Sequence, residues 1–199
     1  HPSASEKWVV DTIRDWVVYH FHDTSQNARV MGVCNTIDNQ QLLGDAANIS
    51  AFLMRLQNEK REYYERIVKT IRLAAPFFGD FVLKEVAPGQ TQLLWMERYG
   101  DQLFYPHQLS DGSLRFVCLA TLLLQPSPSS TIIIDEPELG LHPYAIEVLA
   151  GLLREASSRC QVIISTQSKP LVDEFEAEDL IVVDRKDGET TFNRLSSKE

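Results

Sequence analysis

What this sequence lacks narrows it first. Its three cysteines, Cys34, Cys118 and Cys160, are widely separated and form no C-x-x-C pair, so they read as reduced, partly buried thiols and not as a disulfide framework or zinc site. No apolar run approaches the ~20 residues that a membrane-crossing helix needs. No basic-then-apolar signal layout opens the chain either, so the cytoplasm is the expected location and no membrane partner is expected. Basic residues are scarce: 19 Lys and Arg stand against 28 Asp and Glu, a formal net charge of −9, which argues against a broad nucleic-acid surface. No initiator Met is present, the first residues being His1-Pro2 and the last lying in a polar run, so the chain is expected to be a piece of a longer protein. None of the nine glycines is followed by lysine, which excludes a G-x-x-x-x-G-K-[ST] phosphate-cradling loop from these residues.

What is there is ordinary in bulk and specific in pattern. At 199 residues and 44% hydrophobic, the chain suits one globular domain with room for a helical appendage. From Glu6 to His20, Trp8, Val9, Ile13, Trp16, Val17 and Tyr19 fall on one stripe, the spacing of an amphipathic helix. His20 and His22, two apart, would lie on different helix faces, and a metal site needs a fuller ligand set. Asp23 to Gln41 is rich in polar and turn-forming residues and reads as a loop or poorly packed arm. Helical order resumes in LLGDAANISAFLMRL, with Asn48 or Ser50 as cap, and again from about Arg61 to Leu73.

After Pro76 the period changes. Phe81-Val82-Leu83 and Leu93 to Met96 have strand character, and Gly100-Asp101 sits as a two-residue hairpin turn between LLWMERY and QLFYP. Trp95, Tyr99 and Tyr105 read as a packed sheet face, with stacking on an adenine or other base as the alternative. Ser113 to Leu124 is a strongly apolar helix. Strand Thr131 to Ile134, helix Pro143 to Ala156, strand Gln161 to Ser165, a helix from about Pro170 to Phe175 and strand Leu180 to Val183 follow, and Lys186 to Glu189 turns into Thr190 to Asn193. Strand, helix, strand, helix, strand is the βαβ order of a parallel sheet.

The stretch TIIIDEPELGLHP, Thr131 to Pro143, carries the chemistry. A β-branched strand delivers Asp135 and Glu136 to its carboxyl end, where open α/β sheets place ligands. There the first acid can hold a hydrated Mg²⁺ and the second can polarise a water. The alternative is a solvated acidic turn. Upstream, in QLSDGSLRF, Ser110 precedes a helix whose first turn holds Gly112 and Ser113; free amides and the helix dipole make an anion site there. Ser110 and Asp111 would serve equally well as plain helix caps.

These residues together resemble the Walker B, D-loop and signature motifs of ABC-type ATPase heads, specifically the RecF/SMC-like and OLD-like AAA-family ATPases, whose heads often read DEPE-x-x-LHP. Downstream, VIISTQSKP resembles their switch segment. The resemblance implies that Ser110, Gly112 and Ser113 grip the γ-phosphate of ATP bound to a second subunit, that His142 lies at the dimer interface, and that Gln167 stands where much of the superfamily has a histidine. Glutamine can position water or phosphate but takes up no proton. The family more often has glycine where Asp111 stands.

The implied fold is α/β, a P-loop NTPase (ABC ATPase-like) parallel sheet flanked by helices, with residues 1–75 as a helical arm or lid, a small antiparallel hairpin, and residues 76–199 as the signature, Walker B and switch part. The implied function is ATP binding and hydrolysis with Mg²⁺ in a nucleotide-driven, dimerising switch, a homodimer closed through an ATP sandwich and acting in DNA repair or defence with DNA or a nuclease as partner. The Walker A segment would come from elsewhere in the same protein, and these residues alone would be inactive. The alternative is a non-catalytic interaction module that retains the fold. A metal nuclease would gather more carboxylates than Asp135, Glu136 and Glu138 offer.

Overall fold

The computed structural model describes residues 16–196. In chain order these form β1 (Trp16–Tyr19), β2 (Val33–Asn35), α1 (Ile49–Glu59), α2 (Arg61–Ala74), β3 (Phe78–Phe81), β4 (Glu85–Ala87), β5 (Gln90–Gln92), β6 (Trp95–Glu97), β7 (Leu103–Phe104), α3 (Asp111–Leu124), β8 (Thr131–Asp135), α4 (Pro143–Ser157), β9 (Gln161–Ser165), α5 (Lys169–Val172), β10 (Ile181–Lys186) and β11 (Glu189–Arg194).

The central sheet is parallel, in the order β1-β8-β9, with Tyr19 opposite Ile134 and Asp135 opposite Ser165. This corrects the helix expected from Glu6 to His20. Its first part lies outside the described residues, and its last part, Trp16–Tyr19, is a strand. The run WVVY is β-branched and aromatic, and pairing with β8 overrides the helical period that surrounds it.

One core lies against this sheet. Helix α3 is apolar nearly all round, and Leu114, Phe116, Val117, Leu119 and Leu122 are each at most 1% exposed, as suits a helix enclosed by others. It packs against both α2 and α4, and truncating one of its leucines to alanine would cost about 2–5 kcal/mol. Tyr64 on α2 donates to the Asp80 carboxylate, and burial together with that neighbour raises its pKa. Arg66 pairs with Glu155 and so ties α2 to α4.

The loop after β1 is better fastened than its composition suggests. Asn48 stands at the N-cap of α1 without capping it. Its amide instead donates to Asp38 O at 2.9 Å and Gln41 O at 2.8 Å, while its oxygen accepts from Leu43 N at 3.0 Å.

Two small antiparallel sheets, β2-β5-β4 and β3-β6-β7, precede α3. The β6–β7 hairpin is present, but residues 98–102 connect it, a longer loop than a Gly100-Asp101 turn. The register is set by Trp95, whose ring stacks on Phe104 at 4.7 Å and on Phe78 at 5.9 Å. Trp95 is thus a packed sheet residue, whereas Tyr99 is 91% exposed.

A second correction concerns β10. It was expected both in the parallel sheet and in a hairpin through Lys186 to Glu189; the hairpin is present, pairing it antiparallel with β11 through a turn in which Asp187 and Gly188 both have positive φ, while among the described residues it joins no parallel sheet. That turn matches the twist of a tight hairpin, so local pairing satisfies β10. Among the described residues nothing pairs with the outer edge of β9.

Candidate functional site

Because β1, β8 and β9 run in one direction, their carboxyl ends deliver residues to one edge: His20 to His22, Asp135 to Glu138, and Ser165 to Gln167. There the segment after β8 and the segment after β9 are fastened side chain to side chain. Ser165 Oγ donates to Asp135 Oδ1, Thr166 Oγ1 donates to Glu138 Oε1, and Gln167 Nε2 donates to Glu136 Oε1 at 3.3 Å. The Glu136 amide also donates to Ser165 O at 2.9 Å. Each carboxylate therefore has its own neutral donor, and none is paired with a cation across this seam.

Glu136 sits at φ 39°, in the left-handed region where a non-glycine residue costs of order 1 kcal/mol or more. The turn through Pro137 to Gly140 holds it there: Leu139 N donates to Glu136 O at 3.1 Å and Leu141 N to Glu138 O at 2.9 Å. The strain keeps the Glu136 carboxylate beside Gln167.

Ser110 caps α3, its Oγ accepting from Ser113 N at 3.2 Å and donating to Ser113 Oγ at 2.9 Å. A cavity of about 120 Å³ opens beside this turn, lined among others by Ser110, Gly112, Ser113, Gly140 and His142. His142 is exposed and caps α4, its Nδ1 accepting from Tyr144 N at 3.4 Å. Gly112 has a packing reason to be glycine: a Cβ there would lie 2.2 Å from Gly140 O. The site residues thus fall into two groups. Asp135, Glu136 and Gln167 share the seam; Ser110, Gly112, Ser113 and His142 share the cavity, which the first three do not line.

Arg115 and His22, neither placed in this site from the sequence, link the groups, and Glu138 fastens the seam. Arg115 on α3 donates to Phe21 O, His22 O and Leu139 O. His22 Nε2 donates to Asp135 O at 2.7 Å. Glu138, 9% exposed, anchors Thr166. Reading β1 as a strand would have placed His22 at this edge; backbone carbonyls, the partners of Arg115 and His22, leave no mark in a sequence.

Among the described residues no group of three His, Cys, Asp or Glu side chains is arranged to cage a metal ion. Asp135 Oδ2 has no partner across the seam, and a carboxylate with a hydroxyl beside it is the oxygen donor set that suits Mg²⁺ held through water.

Comparisons with known proteins agree with this architecture. A putative ABC transporter ATP-binding protein of Bacillus thuringiensis subsp. konkukian is 32% identical over 81 residues, 41% of this chain and 14% of that protein. The zebrafish cystic fibrosis transmembrane conductance regulator is 29% identical over 96 residues, 45% of this chain and 6% of that protein. The chain thus spans only a small part of the curated relatives it matches. Among solved structures, an SMC head bound to the C-terminal winged-helix domain of ScpA superposes with a TM-score of 0.58 at 17% identity, covering 92% of this chain and 56% of that one. A structure from work on ATP-driven dimerisation and DNA-stimulated activation of SMC ATPases gives 0.52 at 18% identity, covering 71% of this chain and 90% of that one. These likenesses show a P-loop NTPase fold of the SMC-head kind. The family described as "AAA domain, putative AbiEii toxin, Type IV TA system" matches residues 21–174, most of the chain, and the chain belongs to that family.

Proposed function

We propose that this chain supplies the signature, metal-holding and water-activating parts of an ATPase that works as a nucleotide-driven dimerising switch. The seam that holds Asp135, Glu136 and Glu138 against Ser165, Gln167 and Thr166 carries this reading. It gathers an acid for a hydrated cation, an acid for a water and an amide for orientation at the sheet edge where ligands bind.

Asp135 would hold Mg²⁺ through water, with Ser165 beside it. When bound, Mg²⁺ neutralises charge that develops on the transferred phosphate. Glu136 accepts a proton from the attacking water or orients it. Gln167 keeps that carboxylate aimed and offers its amide to the phosphate. The Ser110 hydroxyl and the amides of Gly112 and Ser113 present donors to a phosphate at the cavity shared with His142. Of the arm or lid expected over residues 1–75, the part after β1 can serve that role, since Trp16–Tyr19 and the residues following them belong to the central sheet and its ligand edge; residues 76–199 form the rest of this part of the head, and the partner is a second copy in a cytoplasmic homodimer serving DNA repair or defence. The lysine that neutralises the phosphates is supplied by a Walker A segment beyond these residues. The outer edge of β9, unpaired among the described residues, leaves room for another strand beside the site.

Steady-state hydrolysis and nucleotide binding by the full-length protein test the reading. Glu136→Gln should leave binding largely intact and slow turnover about a hundredfold or more, the scale of a lost general base. Asp135→Ala should instead weaken Mg-dependent binding. Equal, mild effects would assign the acids to a solvated turn and the chain to an interaction module.

A further inference from the structure

We propose that Arg115 is the positioning residue through which the Ser110–Ser113 turn sets the geometry of the acids after β8, an inference that rests on the ATPase reading above. Its guanidinium is a rigid fork of donors, and all its bonds go to backbone oxygens of two different loops. Nε donates to Phe21 O at 3.1 Å, Nη2 to His22 O at 2.8 Å and Nη1 to Leu139 O at 2.9 Å. Among the described residues it forms no ion pair.

Both loops lead directly to the acids. The residue whose carbonyl Arg115 holds, His22, spends its own Nε2–H on Asp135 O at 2.7 Å. Leu139 closes the turn on Glu136 through its amide, at 3.1 Å. Arg115 stands less than one helical turn beyond Gly112, which itself abuts Gly140 O. A Cβ on Gly140 would lie 2.9 Å from Arg115 Nη1, so glycine at 140, at φ 76°, leaves room for the fork. The start of α3, the loop after β1 and the loop after β8 are thereby one body, and a displacement of the phosphate-gripping turn moves Asp135 and Glu136 with it. Lysine cannot replace this: a single ammonium does not span three carbonyls in fixed directions.

Arg115→Lys and Arg115→Ala in the full-length protein test the proposal by two readouts. In amide hydrogen exchange without nucleotide, both variants should exchange faster at residues 20–23 and 136–141 together, while α4 keeps its protection. In ATP hydrolysis, both should lower kcat tenfold to a hundredfold, the scale of an ångström's misplacement, with KM little changed. In a Glu136→Gln background the further loss from Arg115→Lys should vanish, because the two residues act through one group. Unchanged exchange in the folded lysine variant overturns the proposal. So does a full, additive loss of kcat on top of Glu136→Gln, or a rise in KM with kcat intact. A wild type that hydrolyses no ATP refutes the ATPase reading and the catalytic role of Arg115 with it; the exchange readout, which needs no nucleotide, shows separately whether the clamp exists.

Discussion

Gly112→Ala is the smallest change that should break this head, and its cost can be worked from the contact it creates. A Cβ at position 112 would lie 2.2 Å from Gly140 O and 3.0 Å from Gly140 C, where ordinary contact begins at 3.4 Å. The neighbours must separate by 3.4 − 2.2 = 1.2 Å, and both atoms are backbone, so no side-chain rotation relieves the overlap. Overpacking of this kind costs about 1–3 kcal/mol, of which better helix propensity returns up to about 1 kcal/mol. With that return taken in full, a net loss of up to about 2 kcal/mol remains, which should lower Tm by up to roughly 8 °C for a chain of this size. The larger effect belongs to activity: shifting the 136–141 turn by an ångström should reduce hydrolysis by the full-length protein about a hundredfold. Thermal melting and steady-state hydrolysis of the same preparation measure both. A Gly112→Ala protein with wild-type Tm and wild-type kcat would refute the claim that α3 and the turn after β8 share a rigid contact.

If Ser110 grips a phosphate held by the partner copy, a Ser110→Arg chain should fail to close on ATP with itself, while its Asp135 and Glu136 stay intact. Mixed with a Glu136→Gln chain it should regain part of the activity, and mixtures that form heterodimers yet never exceed the sum of the two mutants would remove support for action across a dimer. Cys118, with its pKa pushed up to about 12 by complete burial, should resist thiol reagents in the native protein and react on unfolding; rapid native labelling would contradict the α3 packing. The same shift has a sign in pH. The folded thiol binds its proton more tightly than the unfolded one, so its contribution is fully present below the ordinary thiol value of 9.0 and is lost as pH rises from there toward about 12. Stability in denaturant melts should therefore fall over that window, and by less in Cys118→Ala.

How much of this could be read beforehand depended on whether the cause was local. Strand β8, helix α4 and strand β9 came within a residue or two of their observed ends, because β-branched runs, Pro143 and the flanking polar residues are signals carried within each segment. Strand β1 was read as helix because Trp16 and Val17 continue a helical stripe, and its partner Ile132 lies more than a hundred residues away. Strand β10 had the composition of a parallel-sheet strand, but the Asp187-Gly188 turn gave it a nearer partner. Of the site, the order of acids and of Ser165-Thr166-Gln167 was legible; the pairing of each acid with its donor was not, since that depends on the register of β8 against β9.

The backbone at Glu136 also bears on how this protein would respond to engineering. Glycine or asparagine would rest more easily at φ 39°, so a library screened for heat tolerance alone should favour them there and discard the acid with the strain. Stability and turnover would then trade against each other at a single position. Consensus or thermostability designs of this head should hold position 136 fixed and look for their gains in α1 and α2.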